Sequence, residues 1–178
     1  NLIFGHKRLS ILDLSDLAKQ PMETIDKDYS IIFNGEIYNY LELREILVKS
    51  GCLFKTYSDT EVLLNCWAKW GEHALDMING MFSFVILDKQ KSTITFARDG
   101  YGIKPLYYLI DSNGIYFASE IKSILNVLPY RPRKNINRSI NYLLTGIYDN
   151  TNETFYENIY SLEPGSFFQY SLKSKSRS

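Results

Sequence analysis

The residues best equipped for chemistry lie in Ile31-Ile32-Phe33-Asn34-Gly35-Glu36-Ile37-Tyr38-Asn39-Tyr40, where an apolar β-type run breaks at Asn-Gly-Glu and then resumes. Asn34 brings a side-chain amide donor, Gly35 a backbone N–H that a ligand can approach without meeting a Cβ, and Glu36 a carboxylate. Two convergent neutral donors are what an oxyanion hole requires. The same Asn-Gly pair is a common hairpin turn, because both residues tolerate positive φ. From this segment alone the hairpin stands first, being much the commoner use of the pair.

Other candidates are weaker one by one. Asp59 belongs to Ser58-Asp59-Thr60-Glu61, a capping-box pattern that opens a helix carrying Val62, Leu63, Cys66, Trp67 and Trp70. Its charge suits a helix N-terminus, and a carboxylate there is also well placed to meet an ammonium group. Arg8 precedes Leu9 to Ser15, whose alternation predicts a strand, and taken alone it reads as a surface charge. His6 and His73 stand far apart without a cysteine cluster, which argues against zinc. No Gly-x-Ser-x-Gly elbow is present. Cys52 and Cys66 have no cation or His beside them in sequence and read as buried packing rather than nucleophiles. The glycines after Arg98-Asp99 form neither a GxGxxG nor a Walker loop, so no nucleotide site is drawn from them.

The elements that must position these groups follow from periodicity. Tyr40 to Ser50 predicts a helix closed by Gly51, Cys52-Leu53-Phe54 a short strand, and Asp59 onward a second helix closed by Gly71. From Met77 a β-meander is expected: Met81 to Leu87, Thr93 to Ala97, Pro105 to Ile110 and Ile115 to Ala118, with turns at Asp88-Lys89-Gln90-Lys91 and Asp111-Ser112-Asn113-Gly114. A helix from Ser119 is ended by Pro129, another spans Asn135 to Leu144, and a strand and a Pro164-Gly165 turn precede a last strand from Ser166 to Ser171. Four strands flanked by helices suggest two sheets with helices packed outside, an α+β layered domain.

With 178 residues, 45% of them hydrophobic and 15% aromatic, the chain is expected to be one domain with a large core. Twenty basic and twenty acidic residues cancel, which gives no electrostatic reason to expect nucleic acid or an anionic membrane as partner. No apolar run reaches the ~20 residues of a membrane span, and the start has no leader pattern, so a cytoplasmic protein is the default expectation.

Read together, Gly5-His6-Lys7-Arg8-Leu9-Ser10-Ile11, Gln20-Pro21-Met22, Phe33-Asn34-Gly35-Glu36-Ile37-Tyr38-Asn39, Ser58-Asp59-Thr60-Glu61-Val62, Asn79-Gly80-Met81-Phe82, Arg98-Asp99 with Gly102-Ile103-Lys104-Pro105-Leu106-Tyr107-Tyr108, and Phe117-Ala118-Ser119-Glu120 closely resemble the glutaminase half of glutamine-hydrolysing asparagine synthetases. The match runs in order over nearly the whole chain. It implies a class II glutamine amidotransferase domain with the N-terminal-nucleophile fold, a four-layer αββα sandwich of two antiparallel sheets, here expected to be truncated at both ends.

Carried over motif by motif, Arg8 would hold the glutamine α-carboxylate, Asp59 with help from Glu36 its α-ammonium, Ile11 would join them in binding glutamine, and Asn34 with the Gly35 N–H would form the oxyanion hole. A zwitterionic substrate needs a fixed cation and fixed anions on opposite sides. On the resemblance the hairpin reading yields to the functional one. In that family an N-terminal cysteine attacks the glutamine amide with its own α-amino group as base, and a thioester forms as ammonia leaves. That cysteine would lie upstream of Asn1, and neither Cys52 nor Cys66 aligns with it, so residues 1–178 are expected to be a partial glutaminase domain without activity of its own.

The resemblance further implies a C-terminal synthetase domain, after Ser178, that uses ATP and magnesium to activate aspartate; no cofactor or metal is expected within this chain. Glutamine and that domain are the expected partners, and a homodimer is left open. Two alternatives stand beside the leading one: a relative that amidates another acceptor, such as a sugar or peptide, and a non-catalytic structural module. Retention of Arg8, Asn34, Glu36 and Asp59 together counts against a mere scaffold.

Overall fold

The computed structural model describes residues 2–8 and 12–177. In chain order come β1 (Met22–Glu23), β2 (Tyr29–Ile37), α1 (Tyr40–Lys49), α2 (Asp59–Trp70), α3 (Ala74–Met77), β3 (Gly80–Asp88), β4 (Thr93–Arg98), β5 (Tyr107–Asp111), β6 (Gly114–Ala118), α4 (Ile121–Val127), α5 (Ile136–Thr145), β7 (Tyr160–Ser161), β8 (Phe167–Ser171) and β9 (Ser176–Arg177). The strands make a six-stranded sheet ordered β1-β2-β3-β4-β8-β9 and a three-stranded sheet ordered β6-β5-β7, with antiparallel pairing throughout.

Side-chain alternation builds the layers. On β2 and β3, Ile31, Phe33, Ile37, Phe82, Phe84 and Ile86 point to α1 and α2, where Leu43, Leu47, Leu63 and Trp67 meet them; the Trp67 and Phe84 rings touch edge to face at 5.9 Å. The opposite parity sends Ile32, Val85, Ile94 and Phe96 toward Tyr108 and Phe117 of the small sheet and Leu106 just before it. A third cluster, Leu109, Ile124 and Ile159, seats α4 on the small sheet's outer side. The order is therefore helices, sheet, sheet, helix. β3 reads as an almost unbroken apolar run because both of its faces are covered. Among the described residues no helix is long and apolar enough to cross a membrane.

Several expectations need correction. The strand expected over Leu9 to Ser15 is absent from residues 12–15, and residues 9–11 lie outside the described part. Asp13 sits at φ 52 and folds its carboxylate back onto the Ser15 N–H and hydroxyl at 2.9 and 2.6 Å, which makes a turn. Cys52-Leu53-Phe54 is not a strand either. The Cys52 N–H closes α1 on the Leu47 carbonyl, and the N–H groups of Lys55 and Thr56 go to the Glu61 carboxylate instead of a neighbouring strand. The expected meander divides between the sheets at residues 99–106, so β4 and β5 do not pair.

Asn34-Gly35 is no hairpin turn but the interior of the nine-residue strand β2. Gly35 is required there by close approach. A Cβ would lie 2.2 Å from the Met81 carbonyl oxygen, and a Cβ on Gly80 would lie equally close, 2.2 Å, to the Glu36 carbonyl oxygen. The two glycines let β2 and β3 draw together at the end of the sheet where the candidate residues collect.

Candidate functional site

The end of β2 next to α2 is an edge beyond the reach of the short β1, which pairs only with Ser30 and Ile31. In an antiparallel ladder the N–H and C=O of one residue point to the same side, and successive residues alternate. Phe82, opposite Gly35, spends both groups on Asp99: its carbonyl accepts the Asp99 N–H at 2.8 Å and its N–H donates to Asp99 Oδ2 at 3.2 Å. Phe33, Gly35 and Ile37 therefore present their backbone groups outward, away from β3. Two of these N–H groups are met by side chains. Phe33 N–H donates to Gln20 Oε1 at 2.6 Å, and Ile37 N–H donates to Asp59 Oδ2 at 3.0 Å. Between them the alternation leaves the Gly35 N–H facing out at the edge.

α2 delivers Asp59. Ser58 caps the helix by accepting the Glu61 N–H at 3.3 Å, half of the expected capping box. The other half is redirected: the Glu61 carboxylate accepts the N–H groups of Lys55 and Thr56 and the Thr56 hydroxyl at 2.7–2.8 Å, fixing the loop into the helix. Asp59 is thereby held against the end of β2. Burial raises its pKa above 3.8, the Glu36 charge adds to the rise, and the N–H groups of Ile37 and Thr60 oppose it. Two carboxylates thus converge on this end.

Arg8 is tied to the same end through its loop. Its guanidinium donates to the carbonyls of Leu12 and, at 2.8 Å, Asp13, while Asp13 Oδ2 accepts the Tyr57 N–H at 2.7 Å, two residues before Asp59. On the near side His6 Nε2 lies 3.0 Å from the Phe33 carbonyl oxygen. The two anchors of segment 6–13 therefore flank the Gly35 edge. Arg8 is half-buried and, among the described residues, forms no ion pair and has guanidinium N–H groups beyond the two bonds to Leu12 and Asp13. Ile11 lies outside the described residues.

Asn34 and Glu36 share the β2 face that looks toward the small sheet. Asn34 Nδ2 stands 3.4 Å from Ser119 Oγ, at the end of β6. The structure thus brings Asn34, Gly35, Glu36 and Asp59 to one strand end and anchors Arg8's loop beside it. It also adds residues the sequence reading passed over. His6 is half-buried and burial lowers its pKa, so the neutral ring donates to Phe33. Gln20 closes the edge, and Ser119 meets the Asn34 amide. Both of the last two stand in motifs that carry the resemblance, Gln20-Pro21-Met22 and Phe117-Ala118-Ser119-Glu120.

The adjacent loop is structural. Asp99, 1% exposed, accepts N–H groups from Phe82, Tyr101, Ile103 and Lys104 at 3.0–3.2 Å. Burial pushes its pKa up, but these bonds outweigh it and hold the carboxyl below 3.8. Arg98 grips the carbonyls of Gly102, Lys104 and Leu162 at 2.6–2.8 Å and so ties β4 to the small sheet. Gly102 is enclosed by Arg98 and Pro164, which leaves no cradle for a phosphate. Cys66 is buried in the helix-side core with its thiol pushed up to about 12 by burial, and Cys52 packs against the same cluster, so neither is an available nucleophile. Among the described residues no three His, Cys, Asp or Glu side chains stand together as a metal site. A groove lined by Leu109, Tyr130, Arg131 and Glu157 lies elsewhere and contains none of the candidate residues.

A family model described as a glutamine amidotransferase domain matches residues 1–178. Two Bacillus subtilis (strain 168) proteins are similar in sequence. Asparagine synthetase (glutamine-hydrolyzing) 1 is 50% identical over 122 residues, covering 68% of this chain and 19% of the relative. Asparagine synthetase (glutamine-hydrolyzing) 2 is 38% identical over 179 residues, covering 98% of this chain and 23% of the relative. The chain thus spans about a fifth to a quarter of the length of these relatives. Among solved structures, glutamine phosphoribosylpyrophosphate amidotransferase from B. subtilis superposes with a TM-score of 0.61 at 20% identity, over 89% of this chain and 31% of that one. A glutamine aminotransferase class-II domain protein from Silicibacter pomeroyi gives 0.52 at 13% identity, over 85% of this chain and 67% of that one. These likenesses bear out the expected fold, two antiparallel sheets between helices in the N-terminal-nucleophile manner.

Proposed function

Since the chain belongs to the glutamine amidotransferase domain family, we propose that it binds glutamine at the Gly35 edge and releases its amide nitrogen as ammonia for asparagine formation elsewhere in a longer polypeptide. The observation that carries this reading is the outward Gly35 N–H, set between two backbone N–H groups that side chains already occupy, with the Asn34 amide on the same strand. Attack of a thiolate on the glutamine side-chain carbonyl moves charge onto its oxygen. The Gly35 N–H and Asn34 Nδ2 receive that charge, each such donor being worth roughly a hundredfold or more in rate. The C–N bond then breaks, ammonia leaves with the proton it gains, and water hydrolyses the thioester to glutamate.

Around this centre Arg8 pairs with the α-carboxylate, Ile11 lines the glutamine site, and Asp59 with Glu36 takes the α-ammonium. The attacking thiol is a residue other than Cys52 and Cys66, both packed in the helix-side core. ATP and aspartate are substrates of the remaining polypeptide. The test supplies the full-length protein with amide-15N glutamine, aspartate, ATP and magnesium. Label is expected in the asparagine side chain. Labelled ammonia without asparagine would move the reading to another acceptor, and no glutamate at all would remove it.

A further inference from the structure

α5 is amphipathic in the inverted sense. Ile136, Ile140, Leu143 and Leu144, followed by Ile147, recur at helical spacing and make one apolar stripe, yet Leu143 and Leu144 are 81% and 80% exposed. The side turned to the domain is polar. Arg138 is 3% exposed there, donates from Nη1 to Asn150 Oδ1 at 2.6 Å, and has Nη2 buried without a partner among the described residues. No α5 residue belongs to any of the three core clusters. The helix is held by its Asn135 cap, the turn at Gly146 and an edge-to-face contact of Tyr142 with Phe155 at 5.4 Å. A stripe of this kind marks the face a helix buries, and this domain does not bury it.

We propose that the α5 stripe is the docking surface for the remainder of the same polypeptide, which covers it with an uncharged apolar face. The proposal rests on the reading of the chain as one part of a longer enzyme. Two observations choose a tethered occupant over a second copy or a free partner. The curated relatives extend to several times the length matched here, so a large covalent neighbour is at hand. The stripe is also small. Five partly exposed aliphatic side chains fall short of the ~800 Å² per partner of a stable bimolecular complex, and a net charge of zero offers no electrostatic steering. A tethered partner needs far less area, because its effective concentration is of millimolar order.

The experiment uses the full-length protein with Leu143→Glu and Leu144→Glu combined, and the Leu143→Met, Leu144→Met pair as the conservative control. Hydrogen exchange over residues 136–147, sedimentation velocity, glutamate release and the ratio of glutamine-dependent to ammonia-dependent product are read in parallel. The native protein is expected to protect α5. The charged pair should expose it, leave glutamate release within about twofold, and lower glutamine-dependent product about tenfold while the ammonia-dependent reaction persists. The methionine pair should behave as the native protein. Rapid exchange of α5 in the native protein, or unchanged coupling in the charged variant, overturns the proposal. Conversion of a dimer to a monomer with coupling intact overturns it in favour of a second copy. If the product proves not to be asparagine, exchange and sedimentation still decide the question, so the two readings fail separately.

Discussion

Asp59 holds two jobs that a pair of substitutions can separate. Its carboxylate accepts the Ile37 N–H at 3.0 Å, and in the proposed complex it also receives the substrate ammonium. Asp59→Asn keeps an oxygen for Ile37 and removes the charge, whereas Asp59→Ala removes both. The ionised carboxylate is itself costly. Its folded pKa is raised by burial, so between the unfolded value near 3.8 and the raised one the folded state binds more protons, and stability falls as pH rises through that window. At neutral pH, Asp59→Asn should therefore melt at or above the native temperature. Asp59→Ala leaves a buried N–H unpartnered, at a cost of about 1–3 kcal/mol.

The loss of the charge-assisted bond to the ammonium, worth roughly 1.5–3 kcal/mol, should weaken glutamine on the order of ten- to a hundredfold in both variants. In the full-length protein, thermal melts, the KM for glutamine and the ammonia-dependent rate are measured side by side. Glutamine-dependent synthesis should collapse while ammonia-dependent synthesis persists. An unchanged KM in Asp59→Asn would refute the ammonium role, and equal loss of both nitrogen sources would refute the site.

Two further substitutions test the frame around that site. Gly35→Ala sets a Cβ 2.2 Å from the Met81 carbonyl oxygen and 2.7 Å from Phe82 Cα, both backbone atoms that cannot swing aside. A stability loss of about 1–3 kcal/mol or more is expected, seen by calorimetry as a fall of roughly 2–12 °C, and a shift of less than about a degree would show that the strands part freely. Asp99→Ala orphans four backbone N–H groups and should cost several-fold the ~1–3 kcal/mol of one buried donor. Because the Asp99 pKa is depressed, its stabilisation is present above pH 3.8 and is lost as pH falls through the folded value. Urea unfolding should show that acid limb in the native protein and a shallower one in Asp99→Asn; superimposable limbs would refute the role.

Helices and the apolar strands were legible in the sequence because their periods agree with their burial. α1 and α2 end at Lys49 and Trp70, just before the expected Gly51 and Gly71, and β3 and β4 fall within a residue of the expected bounds. The misread segments are those where side chains capture backbone groups. Asp13 turns a strand-like alternation into a loop, and at Cys52-Leu53-Phe54 the Cys52 N–H closes α1 on Leu47 while Glu61 captures the next N–H groups, those of Lys55 and Thr56. Local pattern cannot reveal these, since Asp13 reaches Tyr57 from 44 positions away. Asn34-Gly35 failed as a turn for a similar reason, because the need for glycine came from a facing strand. The sequence proposed Arg8, Glu36 and Asp59 only through whole motifs; their meeting depends on α2 abutting the end of β2. His6, Gln20 and Ser119 stand in those motifs too, but no role could be read for them, because their partners are backbone atoms or single side chains distant in the chain.

The occupied N–H groups on either side of Gly35 also decide what cannot enter. An extended peptide added to a strand edge needs a run of alternating free donors and acceptors. Here Gln20 and Asp59 have already filled the neighbouring donor positions, and His6 holds the Phe33 carbonyl. What remains is an aperture a single residue wide. In the proposed complex it admits one carbonyl group of a free small molecule and turns away a polypeptide backbone, so glutamine residues within proteins should be excluded and the edge should not nucleate strand-to-strand aggregation.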